Sequence, residues 1–212
     1  MRKTIYTSTS IKPFFKARNV TFDGYRGMAM SQHTKNSELL HDIFEKTWHE
    51  RRPLEISRAS ISELGKQLSA FNLVWHSDEE KEYTIEQIFQ ASKTFQNGGP
   101  FTDILDKKSN AAKKDPRFHE SGPLKCFTFN GIEYSLEPKG SFYDWIYIQA
   151  LMTNPDLVDQ VADYDSFTDI FFNSDKQINC QAEACAMYVG LVKTNRLSEA
   201  MKSYEFFVKE VF

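Results

Sequence analysis

With 212 residues, 41% hydrophobic and 14% aromatic, the chain can build one domain with a real core, or one domain and an extension. A formal net charge of -3 excludes a general basic coat for nucleic acid, although Lys107, Lys108, Lys113, Lys114, Arg117 and Lys125 stand against only Asp106, Asp115 and Glu120 in one stretch. The three cysteines (Cys126, Cys180, Cys185) lack CxxC spacing, which argues against a disulfide framework or a zinc site and for a reduced, cytoplasmic compartment. Residues 1–16 have no apolar core of a secretory signal, and no run approaches the roughly 18 apolar residues of a membrane span, so a soluble protein is expected.

In chain order, Thr4–Thr7 and Asn19–Phe22 read as short strands. Leu39, Leu40, Ile43, Phe44 and Trp48 recur at helical spacing, and Leu54–Ile56 reads as a strand after Pro53. Ser60 and Glu63 form an S-x-x-E capping box for a short helix that Gly65 would stop, and residues 68–75 read as extended. Thr84 and Gln87 form a second capping box, opening a helix that should run from about Glu86 to Gln96 and break at Asn97-Gly98-Gly99-Pro100. A short helix over 109–114 should end at Asp115-Pro116. Phe127–Phe129 and Ile132–Tyr134 flank Asn130-Gly131, the strongest hairpin signal in the chain. Phe142–Met152 is apolar nearly all round and predicts a buried helix; Asn154-Pro155 supplies a cap and an N1 proline for the next, to about residue 163. Helices over Cys180–Lys193 and Ser198–Phe212 complete a mostly helical α+β fold, with residues 1–55 as an extension packed on a domain over 56–212 and one small β-hairpin.

Glu86, Gln90 and Lys93 stand at i, i+4 and i+7, one polar stripe beside the apolar stripe of Ile85, Ile88, Phe89 and Phe95. An acid, an amide and a cation on one face can hold a polar ligand; an ordinary amphipathic helix with a solvated face has the same spacing.

Three segments give that helix a context. Leu68-Ser69-Ala70-Phe71-Asn72 is similar to an early (F/L)-S-N-F stretch of the NADAR family, and TIEQIFQASKTF resembles that family's T-x-E-x-x-F-Q-A-x-K-F helix at Thr84, Glu86, Phe89, Gln90, Ala91 and Lys93. The order of the C-terminal segments is the third: an aromatic helix, a short helix at Pro155, an acidic stretch from Asp169 to Asp175, then Asn179 opening a small-residue helix. LEISRASISELGKQLSAFNL looks closest to the NADAR antitoxins paired with DarT-type toxins that ADP-ribosylate guanine in DNA. Where many members carry a tryptophan- and glycine-rich loop before the last helix, this chain has only residues 173–178, which leaves both Asp169 and Asp175 as candidates for a second acidic position.

The resemblance implies a single NADAR-like (YbiA-like) domain that hydrolyses the N-glycosidic bond between ADP-ribose and guanine, without metal or redox cofactor. Its partners would be ADP-ribosylated DNA and a DarT-type toxin. The alternatives are a non-catalytic module that binds ADP-ribose or the toxin, and an N-glycosidase for a small ribosyl nucleotide. Glycosidic cleavage passes through an oxocarbenium-like state, which needs a fixed negative charge, a proton for the departing base and a route for water. Glu86, in the first turn of its helix where the dipole favours an anion, suits the first role; plain helix stabilisation is the other reading. Asp169, set among Phe167, Ile170, Phe171 and Phe172, and Asp175 are the second catalytic candidates, with Asn179 as a polar neighbour. Ser69, Phe71, Gln90, Lys93, Lys114 and Arg117 are expected at the ligand, the last two as diphosphate or DNA-backbone contacts. Tyr143 and Trp145 can stack on a base or simply pack in the core. The five histidines are scattered and suggest no metal site.

Overall fold

The computed structural model describes residues 1–76 and 81–212. The fold is α+β and mainly helical, and by contacts the chain divides into two compact units: residues 1–69 with 155–212, and residues 70–154. In the first unit, β1 (Arg2–Ser8) and β2 (Phe15–Thr21) form an antiparallel hairpin paired from Arg2↔Thr21 to Ser8↔Phe15. α1 (Met30–Trp48) starts nine residues before Leu39, the first residue of the apolar periodicity. It buries Asn36, Ser37, Leu40, His41 and Phe44, and Leu40 and Phe44 pack with Ile5, Val20, Phe22, Ala59 and Ile170. β3 (Leu54–Glu55) is followed by α2 (Glu63–Gln67), whose N-cap is Ser62. The expected Ser60 capping box does not form: the Ser60 hydroxyl accepts from the Ser62 N–H instead. Gly65 is interior to this helix rather than its stop. A Cβ there would lie 2.1 Å from the Glu55 carbonyl oxygen, so glycine is what allows helix and strand to touch.

The second unit begins in turns; only Val74–His76 of the expected extended segment is strand (β4), paired antiparallel with β5 (Glu82–Thr84). α3 (Ile85–Ala91) opens on the predicted capping box, with the Gln87 N–H donating to Thr84 Oγ1 at 3.3 Å and the Thr84 N–H to Gln87 Oε1 at 2.8 Å. The helix stops at Ala91, five residues before the expected end, because Lys93–Phe95 leaves it as β6 and pairs with β7 (Leu124–Phe129). A 3₁₀ turn (Thr102–Asp106) and two single turns, α4 (Ser109–Ala112) and α5 (Arg117–Glu120), separate these strands. β8 (Ile132–Tyr134) completes the β6-β7-β8 sheet through the predicted hairpin, with Asn130 and Gly131 at φ 49° and 75° as a two-residue turn of that hand requires. α6 (Ser141–Met152) is buried almost all round, as its sequence requires.

The chain then returns to the first unit. α7 begins at Pro155 as predicted (Pro155–Val161), while the Asn154 amide is used backwards, donating to the Val74 and Ala150 carbonyls at 2.7 Å each. β9 (Ser166–Thr168) has no counterpart in the sequence reading. It lies antiparallel to β1 and parallel to β3, giving the order β2-β1-β9-β3. α8 (Gln181–Lys193), α9 (Leu197–Ala200) and α10 (Tyr204–Val211) follow. Gly190 of α8 sits where a Cβ would meet the Phe14 carbonyl at 2.3 Å, so the helix lies directly on the turn of the first hairpin. Among the described residues no helix is long and apolar enough to cross a membrane.

Candidate functional site

In the second unit the polar stripe exists, though not on one helix. Gln90 Nε2 donates to Glu86 Oε1 at 2.9 Å, and Lys93 Nζ donates to Gln90 Oε1 at 2.6 Å. Lys93 reaches the amide from the first residue of β6, so the strand exit replaces the missing second helical turn. Glu86 and Gln90 are buried, and the Glu86 N–H is tied to the Ala70 carbonyl at 2.9 Å. Only Oε1 of Glu86 is engaged by a described residue.

The surroundings of this relay are aromatic. Lys93 Nζ stands 5.1 Å over the Phe89 ring and 4.8 Å over Phe118, and Lys113 Nζ lies 5.5 Å over Phe71. Burial pulls the Lys93 pKa down to about 8, with Glu86 opposing and Lys113 adding to the fall. Tyr143 meets Phe89 edge to face at 5.3 Å. Five of the residues predicted from sequence therefore belong to the relay and its aromatic surroundings: Glu86, Gln90, Lys93, Phe71 and Tyr143. Trp145, two residues along α6, is buried.

The basic stretch splits. Arg117 holds both oxygens of Asp103 and of buried Asp115, and its guanidinium lies 4.3 Å over Phe101. With Lys107 also on Asp115 at 2.7 Å, this is a fastening of the loop, and the charge-assisted bonds hold the Asp115 carboxyl well below the usual range. Lys114 is exposed beyond α4.

The other candidates lie in the first unit. Ser69 is buried after α2, its N–H on the Lys66 carbonyl. Asp169 follows β9: Oδ1 accepts from the N–H groups of Phe171 (2.9 Å) and Phe172 (3.3 Å), and Oδ2 from Gln181 Nε2 (3.0 Å). Burial raises its pKa against those donors and the Lys3 charge. Asp175 is exposed in the following loop, and Asn179 is half-buried just before the N-cap of α8.

The structure adds a group that the sequence reading passed over. Glu55, in β3, is buried and accepts from Ser57 Oγ (2.6 Å), Thr168 Oγ1 (2.6 Å), the Ile170 N–H (2.8 Å) and Ser37 Oγ (3.3 Å). Because Thr168 gives its proton to Glu55, its oxygen accepts from Nε2–H of buried His41 at 2.8 Å; this tautomer is assigned from the network. Burial, then the nearby Asp169 charge, raises the Glu55 pKa, and burial likewise raises Glu183, bonded by the Tyr6 hydroxyl. A lone acid between Leu54 and Ile56 was the available signal. Among the described residues no group of three or more His, Cys, Asp or Glu could hold a metal ion.

A family model described as DarT1-associated NADAR antitoxin matches residues 1–212. No curated protein matches the chain.

Proposed function

The chain belongs to the family of DarT1-associated NADAR antitoxins, and from that premise we propose that it removes ADP-ribose from guanine in DNA by hydrolysing the N-glycosidic bond. The observation that carries this reading is the buried Glu86–Gln90–Lys93 relay, which fixes one oxygen of the carboxylate through a side-chain bond. In a dry setting a held carboxylate beside the anomeric carbon offsets the positive charge of an oxocarbenium-like state and can take a proton from the attacking water. Gln90 sets the orientation of that carboxylate and is in turn held by Lys93. The Lys93 cation, on its aromatic bed, suits a phosphate or ribose oxygen of ADP-ribose. Water adds at the anomeric carbon as its bond to guanine breaks, and guanine leaves with a proton. The proton that Glu86 takes from the attacking water balances the one that the departing guanine acquires. Reversal of this modification accounts for an antitoxin role beside a DarT1 partner.

The test is incubation with a guanine-ADP-ribosylated oligonucleotide followed by mass spectrometry. The proposal predicts free ADP-ribose and restored guanine. An oligonucleotide that is bound but emerges intact would make the protein a binding module instead.

A further inference from the structure

A cleft of about 860 Å³ in the first unit is lined wholly by residues of that unit and contains chemistry the proposed hydrolysis does not use. Its walls carry Tyr25 and Phe171, both large aromatics exposed to solvent at 52% and 38%. Neither ring is on a loose backbone. Buried Asn36 clamps the main chain of Tyr25 from both sides, accepting from its N–H at 2.7 Å and donating to its carbonyl at 3.0 Å. Asp169 clamps the Phe171 N–H at 2.9 Å, and the His33 ring lies 4.5 Å from the Phe171 ring.

The same cleft is lined by Arg2, Lys3 and Arg26 against Asp23 and Asp175, a positive balance in a chain of net charge -3. Among the described residues neither Arg2 nor Arg26 enters an ion pair, in contrast to Arg18, Arg52 and Arg117, each of which is held by carboxylates. Lys35 Nζ also reaches 5.6 Å over the Tyr25 ring. Exposed aromatic rings on fixed backbones, with uncommitted guanidinium groups lining the same cleft, match stacked bases joined by phosphates, and they favour single strands, whose bases present their faces.

We propose that this cleft binds a single-stranded nucleic-acid segment, with Tyr25 and Phe171 as base platforms and Arg2 and Arg26 on the phosphates. This rests on the hydrolase reading only in supplying a reason for DNA to be near; the binding itself does not require turnover. The measurement is fluorescence anisotropy of a labelled, unmodified (dT)12 strand, with AMP as competitor, on the full chain. Saturable binding that weakens with salt is expected, with AMP a poor competitor. A Tyr25→Ala/Arg26→Glu variant should bind at least tenfold more weakly, and Phe171→Ala, on a different loop, several-fold more weakly. Circular dichroism checks that each variant is folded, and Phe171→Ala decides alone if the double variant is not. No binding by the wild-type chain, equal affinity in the folded variants, or displacement by AMP at stoichiometric amounts would overturn the assignment. Because the strand carries no ADP-ribose, a failure of glycosidic hydrolysis would not alter this result, so the two proposals fail separately.

Discussion

At the scale of residues, side-chain bonds of 2.9 and 2.6 Å join Glu86, Gln90 and Lys93, which stand at i, i+4 and i+7 in the chain. Spacing of this kind is legible because i, i+4 neighbours share a helix face whatever the tertiary context. Lys93 is a different matter: its place at i+7 would have brought it to the same face of a longer helix, and it arrives there from a strand instead. Glu55 escaped notice because its significance depends on Thr168 and Ile170, more than a hundred residues away, which no local pattern reveals. The depressed Lys93 pKa has a consequence for ligand binding. Its folded value of about 8 lies below the ordinary 10.5, so the cation is present below that pH and is lost above it. The affinity for ADP-ribose should therefore fall as pH rises from 7 to 9, as calorimetric titration would show. Lys93→Arg, always charged, should flatten that dependence. An unchanged affinity across this range in the wild-type chain would remove Lys93 from the ligand.

At the scale of elements, what could be read from sequence was what local chemistry enforces. The Thr84 capping box, the Asn130-Gly131 hairpin and the all-round apolar α6 formed where predicted. What could not be read was decided by pairing. β9 is three residues long and is a strand only because β1 and β3 flank it. The Ser60 box lost to a contact between α2 and β3, and Gly65, which looks like a helix stop, is the residue that permits that contact. Two glycine substitutions separate these physical causes. Gly65→Ala drives a Cβ into the Glu55 carbonyl and the Ser60 side chain and should cost about 3 kcal/mol or more. Gly131→Ala meets no atom within 4 Å and carries only the left-handed backbone penalty, about 1–2 kcal/mol. Urea midpoints measure both, and equal losses would refute the close-packing account of Gly65.

At the scale of the molecule, the four-stranded sheet uses strands from both ends of the chain, β1 and β2 beside β9, and this long-range order lies beyond a reading made window by window. The same unit concentrates buried ionisable groups, and they make stability depend on pH in a definite direction. Glu55, Asp169 and Glu183 have folded pKa values above their ordinary ones, chiefly from burial. Folding therefore favours their protonated forms; that contribution is complete at pH values below the ordinary carboxylate range and is lost as pH rises through the folded values toward neutrality. His41 acts in the opposite sense, its pKa pushed down to about 3, so stability falls as pH drops below its ordinary 6.5. The melting temperature should peak in mildly acidic solution and decline toward pH 8, and Glu55→Gln should reduce that alkaline decline. A melting temperature flat from pH 5 to 8 would contradict the upward shift that burial gives these carboxyls.

The central claim is that Glu86 performs chemistry on the ribosyl–guanine bond, and single-turnover cleavage of a guanine-ADP-ribosylated oligonucleotide by Glu86→Gln tests it most directly. Glutamine keeps the size and the hydrogen-bonding capacity of the side chain but removes its charge. The variant should bind the modified strand with near wild-type affinity and release ADP-ribose at least about 100-fold more slowly, the scale expected for losing a catalytic carboxylate. Release at the wild-type rate by a folded Glu86→Gln chain would contradict it.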